Sequence, residues 1–168
     1  MTLRCAAVLM AAHLAWADEA RAGDPAIEVG ASVLGLSVTG YGGQTTTFVG
    51  IPATLYASIF ITPKVVLEPQ VGFHSMAAGR HRDHLLIGTL QVGYLLRGAA
   101  LGSFSAHADV TAARNSYTTD ETDLAVGAGV GYRLPVRGLV TRVEVKYRRY
   151  FRPGADALSV IVALGVVL

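Results

Sequence analysis

Four ionisable side chains recur at every second position near the C-terminus: Arg142, Glu144, Lys146 and Arg148, alternating with Thr141, Val143, Val145 and Tyr147. A period of two puts the charges on one face of an extended strand and the mostly apolar set on the other. Out of water, each charge demands an opposite partner and hydrogen bonds, because an unpaired ion in a low-dielectric interior is costly. Partners exist: Glu68, Gln70 and His74 share one face of the segment Val65 to Met76, opposite Val65, Leu67, Val71 and Phe73. Glu28, Thr89, Gln91, His107 and Asp109 occupy similar alternating positions elsewhere. The expectation is a structural ion-pair network built around Glu68, Glu144, Arg133, Arg142 and Lys146, with Gln70 and His107 among its polar members.

Other constellations suggest reactions. Ser105, His107 and Asp109 share a face and have the types of a hydrolytic relay. A hydrolase of membrane lipids using His107 with Ser105 or Asp109 is therefore a rival function, yet a trio pointing into a narrow interior would lie beyond reach of a lipid ester. His74 and Ser75 are adjacent and so point to opposite faces of a strand. His81, Asp83 and His84 match no established metal-ligand spacing and read as a solvated loop. Gly127-Ala128-Gly129-Val130-Gly131 lacks the spacing and the following helix of a nucleotide fingerprint; small inward residues explain it better. No catalytic, cofactor or metal site is expected.

The elements that would hold these residues are strands. The 168 residues are 52% apolar and only 15% charged, with 19 Gly, an unusual balance for a domain surrounded by water. A formal charge of +2, with Arg148, Arg149 and Arg152 as its densest cluster, gives no phosphate-tracking stripe, so nucleic acid is not an expected partner. After residue 22 no apolar run approaches a membrane helix. Eight period-two segments appear instead: Ile27 to Thr39, Thr46 to Thr62, Val65 to Met76, Asp83 to Leu96, Ala99 to Ala112, Glu121 to Leu134, Gly138 to Phe151 and Ala157 to Leu168. Each reaches the roughly 9–11 residues that a tilted strand needs to cross a bilayer.

The first 22 residues read as an export signal. Arg4 supplies the positive start, Cys5 to Ala17 the apolar stretch, and Ala15-Trp16-Ala17 or Ala20-Arg21-Ala22 the small-x-small cleavage site. Cleavage is expected after Ala17 or Ala22, leaving residues 23–168 as one β-barrel domain without Cys or Trp.

Strand faces and connections complete the expectation of an all-β, eight-stranded antiparallel up-and-down transmembrane barrel. Leu158, Val160, Val162, Leu164, Val166 and Leu168 form an apolar outer face, while the Gly127, Gly129 and Gly131 face is small and lumenal. Tight turns are expected at Pro63-Lys64, Arg97-Gly98 and Pro135-Val136-Arg137, and longer polar loops at Tyr41 to Gly43, Ala77 to Arg82, Arg114 to Asp120 and Arg152 to Asp156. Short turns on one side and long loops on the other is the asymmetry of outer-membrane barrels, with the short side periplasmic. Phe48, Phe60, Tyr94, Tyr132, Tyr147, Tyr150 and Phe151 are the candidate interfacial aromatics. Pro52 and Pro69 fall inside strands and are read as bulge or rim positions. A barrel of eight strands is just wide enough for side chains to fill it, so the lumen is expected to be plugged.

From about residue 27 onward the chain resembles the outer-membrane protein β-barrel domain family, small barrels on the plan of OmpA, OmpX and OmpW. The resemblance rests on Ile59 to Lys64 leading into Val66 to Phe73, on Val126 to Arg133, and on the alternating terminal strand. It implies residence in the bacterial outer membrane, lipid and the barrel-assembly machinery as partners, and a monomer. It also implies a structural or surface-interaction role, such as adhesion, envelope stability or passage of small hydrophobic molecules, with an extracellular ligand left open. Family members usually end in an aromatic residue, whereas this chain ends in Leu168. A soluble, lipocalin-like barrel carrying a lipid is a third reading.

Overall fold

A computed structural model describes residues 27–50, 53–78, 81–99, 101–115, 122–152 and 154–168; for 48, 50, 53, 74–78, 81–84 and 115 only the backbone is considered. The export-signal reading of residues 1–22 and Pro52 therefore lie outside the described residues, as do the side chains of Phe48, His74, Ser75, His81, Asp83 and His84.

Nine strands form one antiparallel sheet: β1 Ile27–Tyr41, β2 Gln44–Gly50, β3 Ala53–Phe60, β4 Val65–Ala78, β5 His81–Leu95, β6 Ser103–Asn115, β7 Thr122–Val136, β8 Leu139–Tyr150 and β9 Asp156–Val167. Neighbours in sequence pair in order, and β1 closes the ring on β9 from Glu28↔Val167 to Gly40↔Asp156. β2 and β3 are two pieces of the predicted second strand, both paired with β1. The result is a closed eight-stranded up-and-down barrel.

Alternation decides which side chains enter the lumen. On β8, Val140, Arg142, Glu144 and Lys146 are buried while Leu139, Val143, Val145 and Tyr147 are exposed. The outer wall carries Leu55, Val71, Leu90, Val110, Val130 and Leu164 among many exposed apolar residues. β1 changes parity partway along: its register to β9 shifts between Ser32 and Leu34. Glu28 and Ser32 face inward before that bulge and Gly35 after it, leaving Val33 and Leu34 both outside.

The connections depart from expectation. Gly42-Gly43 is a two-residue turn with φ of 56° and 78°, and Ala78 pairs directly with His81, so two of the four predicted long loops are tight hairpins. At that end six residues separate β6 from β7 and five separate β8 from β9. At the other end, where Leu168 N–H bonds the Ile27 carbonyl at 3.0 Å, the β7–β8 turn is Arg137-Gly138, with φ of 50° and 83°. Pro135 sits inside β7 opposite Val140 and not in the turn. β5 ends at Leu95 and β6 begins at Ser103, so Ala99, Leu101 and Gly102 are not strand. The β5–β6 connection folds beneath the barrel, where Ala99 is fully buried. The two ends thus do not differ as predicted in connection length.

Pro69 is neither bulge nor rim. It lies mid-strand in β4 with unbroken register to β5, and the β3–β4 ladder is interrupted beside it, between Tyr56↔Gln70 and Ile59↔Leu67. The missing donor of proline accounts for the interruption.

Aromatic residues fall near both ends of the outer wall. Tyr94, Phe104 and Tyr132 lie toward the end that carries Ile27 and Leu168, Phe104 and Tyr132 meeting edge to face at 5.0 Å. Tyr147 and Phe151 lie toward the other, Phe151 donating its N–H to the Leu124 carbonyl at 2.9 Å. From Leu124 to Tyr132 along β7 is about 26 Å at ~3.3 Å per residue, or about 20 Å of height once the strand tilts. Two of the predicted girdle residues point elsewhere: Phe60 lies under the Arg133 guanidinium, and Tyr150 lines the lumen.

Candidate functional site

The half of the lumen nearer Ile27 and Leu168 is filled by ion pairs. Arg142 of β8 is the hub. It donates from Nη1 to Glu68 Oε2 at 2.5 Å and from Nη2 to Glu68 Oε1 at 3.1 Å, and Nη2 also reaches Glu144. Its Nη1 lies 3.9 Å from Glu28 Oε1, and its guanidinium carbon stands 4.5 Å from the centre of the Tyr56 ring. Lys146 Nζ meets Glu144 Oε2 at 2.8 Å and donates to Gln91 Oε1 at 2.7 Å. Gln70 donates to Glu68 at 2.7 Å and to Gln91 at 3.2 Å, and the Ser58 hydroxyl also donates to Glu68.

A second cluster joins it at the base. Arg133 Nε donates to Glu28 Oε2 at 2.8 Å, and its Nη1 donates to the Ala99 carbonyl of the tucked connection. Tyr56 donates to Glu28 Oε1 at 2.9 Å. The Tyr56 ring needs room from two strands: a Cβ on Gly30 or Gly165 would stand 2.4 Å from its atoms. Higher in the lumen Arg148 Nε donates to Asp109 Oδ1 at 2.9 Å, and Thr111 donates to the same oxygen at 3.1 Å.

The charges balance. Glu28, Glu68, Asp109 and Glu144 oppose Arg133, Arg142, Lys146 and Arg148, all buried save for slight exposure of Arg148. Among the described residues, four carboxylates against four cations leave no formal excess. Buried pairs of this kind add little net stability, since desolvation offsets their attraction, but removing one partner is severely destabilising. The cluster therefore acts as a brace and a seal.

All seven residues predicted for the lumen, Glu68, Gln70, His107, Arg133, Arg142, Glu144 and Lys146, are buried inside the barrel. Six join the network. His107 does not: neither Nδ1 nor Nε2 has a hydrogen-bond partner. It borders a small void of about 20 Å³ beside Ser105, Gln91 and Glu144, room for about one water. Gly129 opposes it, where a Cβ would stand 2.3 Å from Nε2. The Ser105, His107 and Asp109 trio shares the inner face of β6 but forms no relay, since Asp109 is engaged by Arg148 and Thr111. Tyr56 and Ser58 were not predicted; their even spacing on β3, in phase with each other, is the signal that could have found them.

Among the described residues the other half of the lumen is not filled, which departs from the expectation of a lumen plugged throughout. It holds a chamber of about 680 Å³, floored by Glu68, Arg142, Glu144, Lys146 and Arg148 and walled by Ser, Thr and apolar side chains. β2 pairs only with β1, and beyond Ala53↔Phe73 the backbone of β4 pairs only with β5. Among the described residues the wall is thus unpaired between β2 and the far end of β4, alongside this chamber.

No protein-family model matches this chain, and no curated protein matches it. Among solved structures it is similar to Ail, the attachment invasion locus protein of Yersinia pestis, in complex with the heparin analogue sucrose octasulfate, at 14% identity and a TM-score of 0.53, covering 84% of this chain and 96% of that one. A second structure of Ail of Yersinia pestis (13% identity, TM-score 0.45, 87% and 100% covered) and a de novo designed transmembrane β-barrel (14%, 0.46, 86% and 98%) also match. The first similarity carries the fold and nothing finer.

Proposed function

We propose that this chain is a small bacterial outer-membrane barrel with a structural or surface-interaction role, monomeric, without enzymatic activity and without an open pore. The carrying observation is the inversion of the molecule: large apolar side chains cover the outer wall while eight balanced charges are buried within. A soluble lipocalin-like barrel would expose that belt to water, far beyond the few hundred Å² of contiguous apolar surface that soluble monomers carry. A bilayer, in contrast, admits a sheet whose lipid-facing backbone groups are paired, as the β1–β9 closure from Glu28 to Gly40 provides here.

The surface role is our extension by analogy from a protein of the same fold, the attachment invasion locus protein seen with a heparin analogue. The lipid-hydrolase alternative loses support from the geometry of its trio, sequestered on the lumenal face with Asp109 committed to Arg148. Lipid and the barrel-assembly machinery are the proposed partners.

Expression in a Gram-negative host tests both location and orientation. Arg152→Cys and Arg137→Cys place single thiols at opposite ends of the barrel. The proposal expects the protein in the outer-membrane fraction, with the thiol at 152 labelled by an impermeant maleimide on intact cells and that at 137 labelled only after lysis. Recovery from the periplasm, or the reverse labelling pattern, would contradict it.

A further inference from the structure

We infer that the adjacent β3–β4 and β5–β6 turns form a phospholipid site, in which Lys64 and Arg97 hold the phosphate of an anionic headgroup in the leaflet at the Ile27 and Leu168 end. The inference rests on the membrane reading above and adds to it a ligand class and a place.

Most cations of the barrel are already engaged. Arg133, Arg142, Lys146, Arg148 and Arg149 each pair with a carboxylate. Lys64 and Arg97 are exposed, and among the described residues neither side chain has an ion-pair or hydrogen-bond partner. No Asp or Glu among the described residues is exposed at their end of the barrel. Glu28, the acid on β1 beside Ile27, is fully buried and bound by Arg133 and Tyr56.

The turns that bear the two cations are held in place and touch. Lys64 and Val65 donate their N–H groups to Thr62 Oγ1 at 3.3 and 3.0 Å, and Ile61 N–H donates to the Val65 carbonyl at 3.0 Å. Arg97 N–H donates to Ser103 Oγ at 2.9 Å. Leu95 N–H crosses to the Lys64 carbonyl at 2.7 Å, and a Cβ on Gly98 would stand 3.3 Å from the Pro63 carbonyl oxygen. Two cations far apart in sequence are thus carried side by side on backbone that is already fixed.

Their surroundings suit a lipid headgroup. Tyr94, half-exposed, faces outward directly opposite Val65, at the level where interfacial tyrosines sit. Ile61 and Leu96 flank the cations at 64% and 61% exposure, and Val92 and Leu90 continue an apolar track along β5. A phosphodiester gains charge-assisted hydrogen bonds from an ammonium and a guanidinium, while its acyl chains lie along the track. A zwitterionic headgroup brings its own cation to the site and gains less. Free phosphate would leave Ile61, Leu96 and Tyr94 uncovered.

The test titrates the folded, detergent-solubilised protein with phosphatidylglycerol and, separately, with phosphatidylcholine, retained lipid being counted by native mass spectrometry. Phosphatidylglycerol is expected to be retained in preference. Lys64→Gln and Arg97→Gln should each weaken its binding about fivefold, the effect of one basic residue at an anionic lipid surface, and the double variant should hold the two lipids alike. Both side chains are exposed and unpaired, so the variants should fold, which heat-modifiable gel migration verifies. Arg152→Gln, at the opposite end, should change nothing. Equal retention of the two lipids by the unaltered protein, a comparison that needs no variant, would overturn the site. So would a preference that survives in the folded double variant or is erased by Arg152→Gln. Displacement of the lipid by an equal concentration of inorganic phosphate would assign the cations to a free anion and overturn the lipid. Loss of heat-modifiable migration in the unaltered protein would instead sink the membrane reading and this inference with it.

Discussion

The guanidinium of Arg142 on β8 grips the carboxylate of Glu68 on β4 with two hydrogen bonds, at 2.5 Å and 3.1 Å, across the full width of the barrel. With β2 and β3 sharing one place in the ring, β4 is the third strand and β8 the seventh, so the pair joins opposite walls. Arg133 to Glu28 and Lys146 to Gln91 add braces between walls three places apart. A cylinder of strands, otherwise held only by neighbour pairing, is tied through its middle.

Removing the hub should therefore cost more than removing the pair. Arg142→Met leaves Glu68 and Glu144 buried without their principal cation, and is expected to destabilise the barrel by about 3–5 kcal/mol. Arg142→Met combined with Glu68→Gln should lose clearly less, because one orphaned charge is gone. Urea titration of the folded protein in lipid vesicles measures both, and a double variant at least as unstable as the single would contradict the brace.

Close packing at β6 and β7 gives a second expectation. Gly129→Ala forces a methyl into the His107 ring and the Val145 carbonyl, both under 2.5 Å from the new atom, and should cost about 1–3 kcal/mol. Gly88→Ala meets nothing within 4 Å on the outer wall and should change stability little. Equal unfolding midpoints for the two variants would show that the lumen is looser than its geometry.

The apolar belt can be probed one residue at a time. Val130, 59% exposed halfway along β7, faces outward between the two aromatic sets. Val130→Arg should destabilise a bilayer-embedded barrel by about 2–4 kcal/mol. A barrel in water would scarcely register the change, typically within about 0.5 kcal/mol.

The sealed half of the lumen sets an electrical expectation. With Arg133, Arg142, Lys146 and their carboxylates filling the cross-section and Ala99 tucked beneath, planar-bilayer recordings should show no large, stable conductance. Such a conductance would mean that the charges line a pore.

Much of this arrangement was legible in the residue order, for a physical reason. A strand has a period of two, so Arg142, Glu144 and Lys146 among Thr141, Val143 and Val145 declare their side without any knowledge of the partner strand. Partnership is another matter. That Arg133 would bind Glu28, 105 residues earlier, depends on barrel closure and tilt, which no local pattern encodes. The Val33 bulge was hidden because both parities of β1 carry apolar residues around it. The turn at Gly42-Gly43 differs from the expected longer loop because polar residues near a strand end look alike whether the ladder continues or stops, whereas the tight turn expected at Pro135-Val136-Arg137 is present but displaced to Arg137-Gly138, the proline staying in the ladder. The chamber was missed because lumen filling was argued from strand number, which sets the width of a barrel and not how far its side chains occupy its height.

The central claim is a closed barrel that is stable because lipid surrounds it. The most direct measurement is gel migration of the boiled and unboiled protein after folding into phosphatidylcholine vesicles. Expected is a faster-migrating compact form in the unboiled sample, converted by heat to the mobility of a 17.6 kDa chain less any cleaved N-terminal segment. Identical migration before and after boiling, with the protein recovered in buffer and not with the vesicles, would contradict the claim.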